Sequence, residues 1–168
     1  MAHNPVSNMF LGDGIAPVVE MLKAGVTVGL GTDGAASNNS QDMFEVLKVA
    51  PLLQRARLQD AQAVTPMQAL RMATMGGARA LGLDHLVGSL EPGKRADLIM
   101  LDLRSAPHNV AVHNVVSHLV HCAKATDAEL VMVDGRILME QRKVLGLDEA
   151  DLLAKAQAAG ERLVRSLT

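Results

Sequence analysis

The sequence predicts an α/β fold, and three observations carry that reading. The apolar run "VTVGLGT", Val26 to Thr32, directly follows a helix-patterned stretch and reads as a buried strand. Thr65-Pro66-Met67-Gln68 combines an N-cap, a first-turn proline and a Gln three residues after the cap, which together announce a helix. After Gly88 the periodicity shortens, and Asp134-Gly135 between two apolar runs signals a hairpin.

Taken in chain order, Met1 to Gly14 reads as loop, because Asn4-Pro5, Ser7-Asn8 and Gly12-Asp13-Gly14 are turn formers. A helix follows, with Pro17 in its first turn, Val18, Val19, Met21 and Leu22 on its apolar face, and Gly25 at its end. The strand Val26 to Thr32 leads into a polar loop, Gly34 to Ser40. Gln41 to Leu58 carries Met43, Phe44, Leu47, Ala50 and Leu53 at helical spacing, with Pro51 expected to kink it. The helix that starts at Thr65 is predicted to run to about Leu81. Pro92-Gly93 then forms a turn, Leu98 to Leu103 a strand, and the hairpin completes a small antiparallel unit. Asp148 to Leu167 closes as an amphipathic helix with Leu152, Leu153, Ala156, Leu163, Val164 and Leu167 along one side.

Composition narrows the function. The 168 residues are 49% hydrophobic and 20% charged, as an ordinary globular chain is. A net charge of -2, two Phe and neither Trp nor Tyr leave no basic stripe and few stacking platforms, so nucleic acid is not an expected partner. The one cysteine, Cys122, excludes a disulfide framework and multi-cysteine zinc sites, and fits a cytoplasmic setting. "MAHNPVSNMF" lacks the charged and apolar segments of a secretory leader, and no apolar run reaches the ~18 residues of a membrane span, so no membrane association is expected.

Gly29, Gly31 and Gly34 spell G-x-G-x-x-G after the strand. A dinucleotide fingerprint also needs a helix opening at the third glycine and an acid ~20 residues on, at the end of a second strand. Here "AASNNSQ" follows Gly34 and reads as too polar to begin a helix, while the region near Leu53 lies in mid-helix. A nucleotide-binding module is therefore the lesser reading. Asp33 is the alternative centre, since βα barrels hold their chemistry at the C-terminal strand ends. A carboxylate there can bind a divalent metal and relay a proton; by spacing alone it can equally cap the next turn.

Five stretches in order, "HNPVSNMFLGDGIAPV", "AGVTVGLGTDGAASNNSQDMF", "TPMQALRMATMGGARALGL", "GSLEPGKRADLIMLDL" and "VMVDGRILMEQRKVL", resemble the C-terminal part of the metal-dependent amidohydrolase superfamily. The resemblance covers nearly the whole chain and is closest to the branch of methylthioadenosine/S-adenosylhomocysteine deaminases and triazine chlorohydrolases. It implies a distorted (β/α)₈ barrel with a flanking small β-sandwich. Residues 1–86 would be the last two strand/helix units of that barrel, 87–147 part of the sandwich, and 148–168 a C-terminal helix.

The resemblance also implies roles. Asp33 would be a metal ligand and the catalytic proton acceptor, His3 would lie near the active-site end without binding metal, and Asn8, Ser37, Asn38 and Asn39 would lie in loops that face substrate. The family's remaining metal-binding histidines and its ring-protonating Glu belong upstream of Met1. The expectation is thus a chain that is inactive alone, part of an enzyme that uses zinc, or else iron or manganese, to deaminate or dechlorinate a purine, nucleoside or triazine-like ring. Its partner would be the missing N-terminal barrel segment or another copy, and a noncatalytic or complementing subunit of a split enzyme is the alternative. "HNVVSHLVH" offers His113, His118 and His121 as a further metal cluster, but no H-E-x-x-H pattern supports it, and as a strand the segment would point His118 and His121 to opposite faces.

Overall fold

Asn4 and Gly12 bracket a helix where the turn formers suggested a loop. The computed structural model describes residues 1–167; Thr168, and the side chain of Leu167 on the apolar stripe, lie outside the described residues. Strand β1 (Ala2–His3) enters helix α1 (Pro5–Leu11), in which Pro5 takes the first helical position and left-handed Gly12 the end. The proline-glycine pair therefore marks helix boundaries. Helix α2 (Val18–Lys23) follows as expected, and the predicted strand shortens to β2 (Gly29–Leu30), parallel to β1 with His3 opposite Leu30. Val28 and Leu30 are buried although the formal strand is short.

The expected polar loop after Gly34 contains one helical turn, α3 (Ala35–Asn38), and α4 (Met43–Leu58) starts at Asp42, whose side chain accepts the Phe44 N–H. Helix α4 continues through Pro51, which lies buried and supplies no N–H to the preceding turn. Thr65 and Gln68 form the predicted capping box. The helix it opens is not uniform: α5 (Pro66–Arg71) passes into a π-helical turn (Met72–Gly76) and then α6 (Gly77–Ala80). At that turn backbone meets backbone. A Cβ on Gly76 would lie 2.3 Å from the Val28 carbonyl oxygen, and one on Gly29 would lie 2.7 Å from the Gly77 Cα.

Val18, Val28, Leu30, Val46, Leu47, Ala50, Val64, Ala69, Met72 and Val120 form one apolar core, which joins β2 to α2, α4, α5 and α7 (Val115–His121). The second sheet is antiparallel in the order β3 (Leu98–Leu101), β4 (Ala128–Val133), β5 (Arg136–Glu140), β6 (Lys143–Val144). Asp134 and Gly135 both have positive φ, 50° and 76°, the geometry of a tight hairpin turn whose twist matches the strands. Lys94 fastens the approach to this sheet, because its ammonium donates to the Asp84 carbonyl and the Ser89 hydroxyl, each at 2.7 Å. Helix α8 (Glu149–Leu167) leaves Leu152, Leu153, Leu163 and Val164 exposed on its apolar side. Among the described residues no helix is long and apolar enough to cross a membrane.

The link between β3 and β4 is held by a polar network. Buried Asp127 meets the His108 ring at 3.1 Å and accepts the Lys124 N–H at 2.9 Å, while His118 meets Asn109 at 2.8 Å. Burial pushes the Asp127 carboxyl up, but the Lys124 N–H, His108 and Asn109 together hold it below its ordinary 3.8. A lowered folded-state pKa contributes stability that is present above the unfolded value and is lost as pH falls through the folded one. Asp127→Asn should therefore cost about 1–3 kcal/mol at pH 7. The difference from the parent should shrink once the pH drops below 3.8. Urea denaturation at several pH values measures both.

Candidate functional site

Strand β2 delivers Asp33 to the surface in a conformation few residues adopt. Its φ is 63°, in the left-handed region that Asp tolerates better than most side chains. The backbone there is clamped: the Asp33 carbonyl accepts Gln41 Nε2 at 3.1 Å and the Thr32 hydroxyl at 3.0 Å. Its carboxylate is held from two directions. Oδ1 accepts the Gly34 N–H at 2.8 Å, and Oδ2 accepts the hydroxyl of Ser7, on α1, at 2.7 Å. The Ser7 hydroxyl, then the Gly34 N–H and the Ser37 hydroxyl, keep the Asp33 carboxyl below the usual carboxylate range. Asp33 is therefore ionised at neutral pH.

An ionised carboxylate offers about four lone-pair directions. The Gly34 N–H and the Ser7 O–H use one on each oxygen, so each oxygen keeps another. Open, hard oxygen donors of this kind fit one bond to a zinc, iron or manganese ion and one to a proton. A single carboxylate does not make a complete metal centre. Among the described residues no group of three or more His, Cys, Asp or Glu side chains lies together to hold an ion.

The residues expected in substrate-facing loops lie instead on α1 (Asn8) and on or just after α3 (Ser37, Asn38, Asn39), and sort by what they touch. Buried Asn38 turns inward, donating from Nδ2 to the Thr32 carbonyl at 2.6 Å, and its Oδ1 has no hydrogen-bond partner. Ser37 donates to the Gly34 carbonyl at 3.0 Å, and exposed Asn39 ends α3 with φ 59°. Asn8 reaches Asp13 Oδ2 at 3.4 Å. Ser7 and Gln41, which the sequence reading did not single out, are the side chains that fix Asp33. Neither had a local signal, since Ser7 reaches Asp33 only after the chain has passed through α1, α2 and β2.

Two of the three glycines have packing roles. Gly29 admits the Gly77 backbone, and a Cβ on Gly31 would lie 2.7 Å from the Asn4 side-chain oxygen. A helix does begin after Gly34, contrary to the sequence expectation, but it is one turn long. The Gly34 N–H, which a phosphate would need, is given to Asp33.

His3 is buried with neither ring nitrogen hydrogen-bonded, and burial lowers its pKa. The histidine cluster dissolves. Its segment is helical from Val115 and not a strand; His113 precedes that helix, His118 is engaged by Asn109, and burial together with the positive charges of Arg55 and Lys48 lowers the His121 pKa.

A parallel strand pair backed by helices, with an ionised carboxylate after its second strand, defines an α/β protein carrying an acid at a strand end. Residues 1–138 match the amidohydrolase family, and the chain belongs to that family. It is 51% identical over 164 residues to a 5-methylthioadenosine/S-adenosylhomocysteine deaminase of Pelotomaculum thermopropionicum, covering 98% of this chain and 37% of that protein. It is 46% identical, over the same shares, to a 5'-deoxyadenosine deaminase of Methanosarcina acetivorans. The crystal structure of an adenosine deaminase from Xanthomonas campestris with bound zinc superposes with a TM-score of 0.94 at 39% identity, over 98% of this chain and 37% of that one. An atrazine chlorohydrolase from Arthrobacter aurescens, crystallised with zinc, gives 0.81 at 32% identity, over 94% and 35%. The chain thus spans a little over a third of the length of these relatives.

Proposed function

We propose that this chain is the C-terminal part of a barrel amidohydrolase that replaces a ring amino group of an adenosine-type nucleoside by oxygen, releasing ammonia. The observation that carries the reading is the Asp33 carboxylate, ionised, clamped and left with open lone pairs at the end of β2. Deamination is preferred to dechlorination because the relatives at 51% and 46% identity are named deaminases, while the chlorohydrolase stands at 32%. In this reading residues 1–86 end the barrel, 87–147 belong to its β-sandwich, and 148–168 form an added helix.

Asp33 would hold the metal, most simply zinc, through one oxygen. A bound divalent metal lowers the pKa of water toward ~7 and so supplies hydroxide at neutral pH. Asp33 accepts a proton and returns it to the departing amine. Gln41 and Thr32 keep its backbone in place, Asn38 fixes the turn after β2 through the Thr32 carbonyl, and Asn8 on α1 with Ser37 and Asn39 on and after α3 would border the substrate.

The test uses the full-length protein that contains this chain. It should release ammonia from 5'-deoxyadenosine, methylthioadenosine or adenosine, lose that activity on chelation, and regain it with zinc. Absence of ammonia from all three, in folded protein loaded with zinc, overturns the reading.

A further inference from the structure

Ser7 is 1% exposed, lies on α1 in the unit that precedes β2, and gives its hydroxyl to Asp33 Oδ2 at 2.7 Å. The carboxylate is ionised and has no proton to give, so the bond runs one way, with Ser7 as donor. Oδ1 is similarly occupied along one direction by the Gly34 N–H. That second bond comes from the adjacent residue and constrains the group only locally. The Ser7 bond ties the carboxylate to a different strand-helix unit.

We propose that Ser7 is a positioning residue for the Asp33 centre: by holding Oδ2 toward α1 it fixes the rotation of the carboxylate and so keeps both oxygens from closing on the same metal ion. Asp33 then meets the ion through a single oxygen and retains a lone pair for the proton. Without the hydroxyl, Oδ2 is free to turn onto the metal, and the lone pair that should accept the proton is consumed by coordination. Charge-assisted O–H···O⁻ bonds of this length are among the stronger ones in proteins, strong enough to set a rotamer. The inference rests on the role proposed for Asp33.

The experiment uses the full-length protein loaded with cobalt, whose visible spectrum reports coordination number, and compares Ser7→Ala with Ser7→Gly, neither of which can donate to Asp33 from its side chain. Both are expected to bind one cobalt per chain and to melt near the parent temperature. Both should lower kcat about tenfold to a hundredfold with KM within about twofold, the range for residues that orient a metal ligand. Their cobalt absorption should weaken as a further oxygen joins the ion. Asp33→Asn separates the two claims: if it keeps parental turnover, the reading of Asp33 fails, whatever Ser7 does. If Asp33→Asn is inactive while a folded Ser7→Ala or Ser7→Gly shows parental kcat and an unchanged cobalt spectrum, the positioning role is overturned.

Discussion

Asp33→Asn lowers turnover of the full-length protein at least about a thousandfold while leaving its fold in place. The amide has the shape of the carboxylate but a single acceptor oxygen, which can keep the bond from the Gly34 N–H while its NH2 donates to the Ser7 hydroxyl oxygen. What disappears is the negative charge and the ability to take a proton. General acid-base groups contribute about 10²–10⁴ in rate, and loss of a metal ligand adds to this. Steady-state ammonia release, with circular dichroism and metal content measured in parallel, decides the matter. A tenth of the parental rate would show that Asp33 does not carry the proton.

Gly76→Ala destabilises the chain by about 2–4 kcal/mol, against the direction that helix propensity dictates. Gly76 has ordinary helical angles, φ -63° and ψ -45°, so on backbone grounds alanine would be favoured by about 1 kcal/mol. The new Cβ, however, would sit 2.3 Å from the Val28 carbonyl oxygen and 3.1 Å from that of Arg71. Both are backbone atoms and cannot rotate away. The helical turn must lift from β2, with loss of packing around Met72 and Val28. Gly160→Ala is the internal control: no atom lies within 4 Å of a Cβ there, and α8 should gain from the exchange. Thermal melts of the two variants should move in opposite directions.

What was legible in the sequence was whatever depends on near neighbours. The capping box at Thr65 and Gln68, the Asp134-Gly135 turn and the amphipathic stripe of α8 all rest on contacts within a few residues. Asp33 was legible because it directly follows an apolar run. Helix α1 was not, because Asn4-Pro5 and Gly12 serve a turn and a helix boundary equally well, and only the neighbouring elements decide. Ser7 carried no signal at all; its meaning appears when β1 and β2 pair and bring α1 to the carboxylate. The Gly76-Gly77 pair was not read either, because its close approach to Val28 and Gly29 appears only when the helix packs on β2. Asn38 was placed among the loops facing substrate; its Nδ2 is given to the Thr32 carbonyl, while its buried Oδ1 has no partner.

The strand pairs differ in how far the chain must travel to close them, and this orders the events of folding. Strands β4 and β5 are joined by the two-residue Asp134-Gly135 turn, so their pairing needs almost no chain search and belongs to the ~1–10 μs class of hairpins. Ala2, by contrast, must find Gly29 across the whole segment that carries α1 and α2, with the loop-closure entropy of that segment to overcome. In a refolding chain the β4–β5 hairpin is expected to be early, and the β3–β4 pair that joins Leu98 to Met132 late, as is the β1–β2 pair. The bond from Ser7 to Asp33 depends on that late pair, which makes the arrangement around the carboxylate one of the last things the molecule acquires and among the first it surrenders.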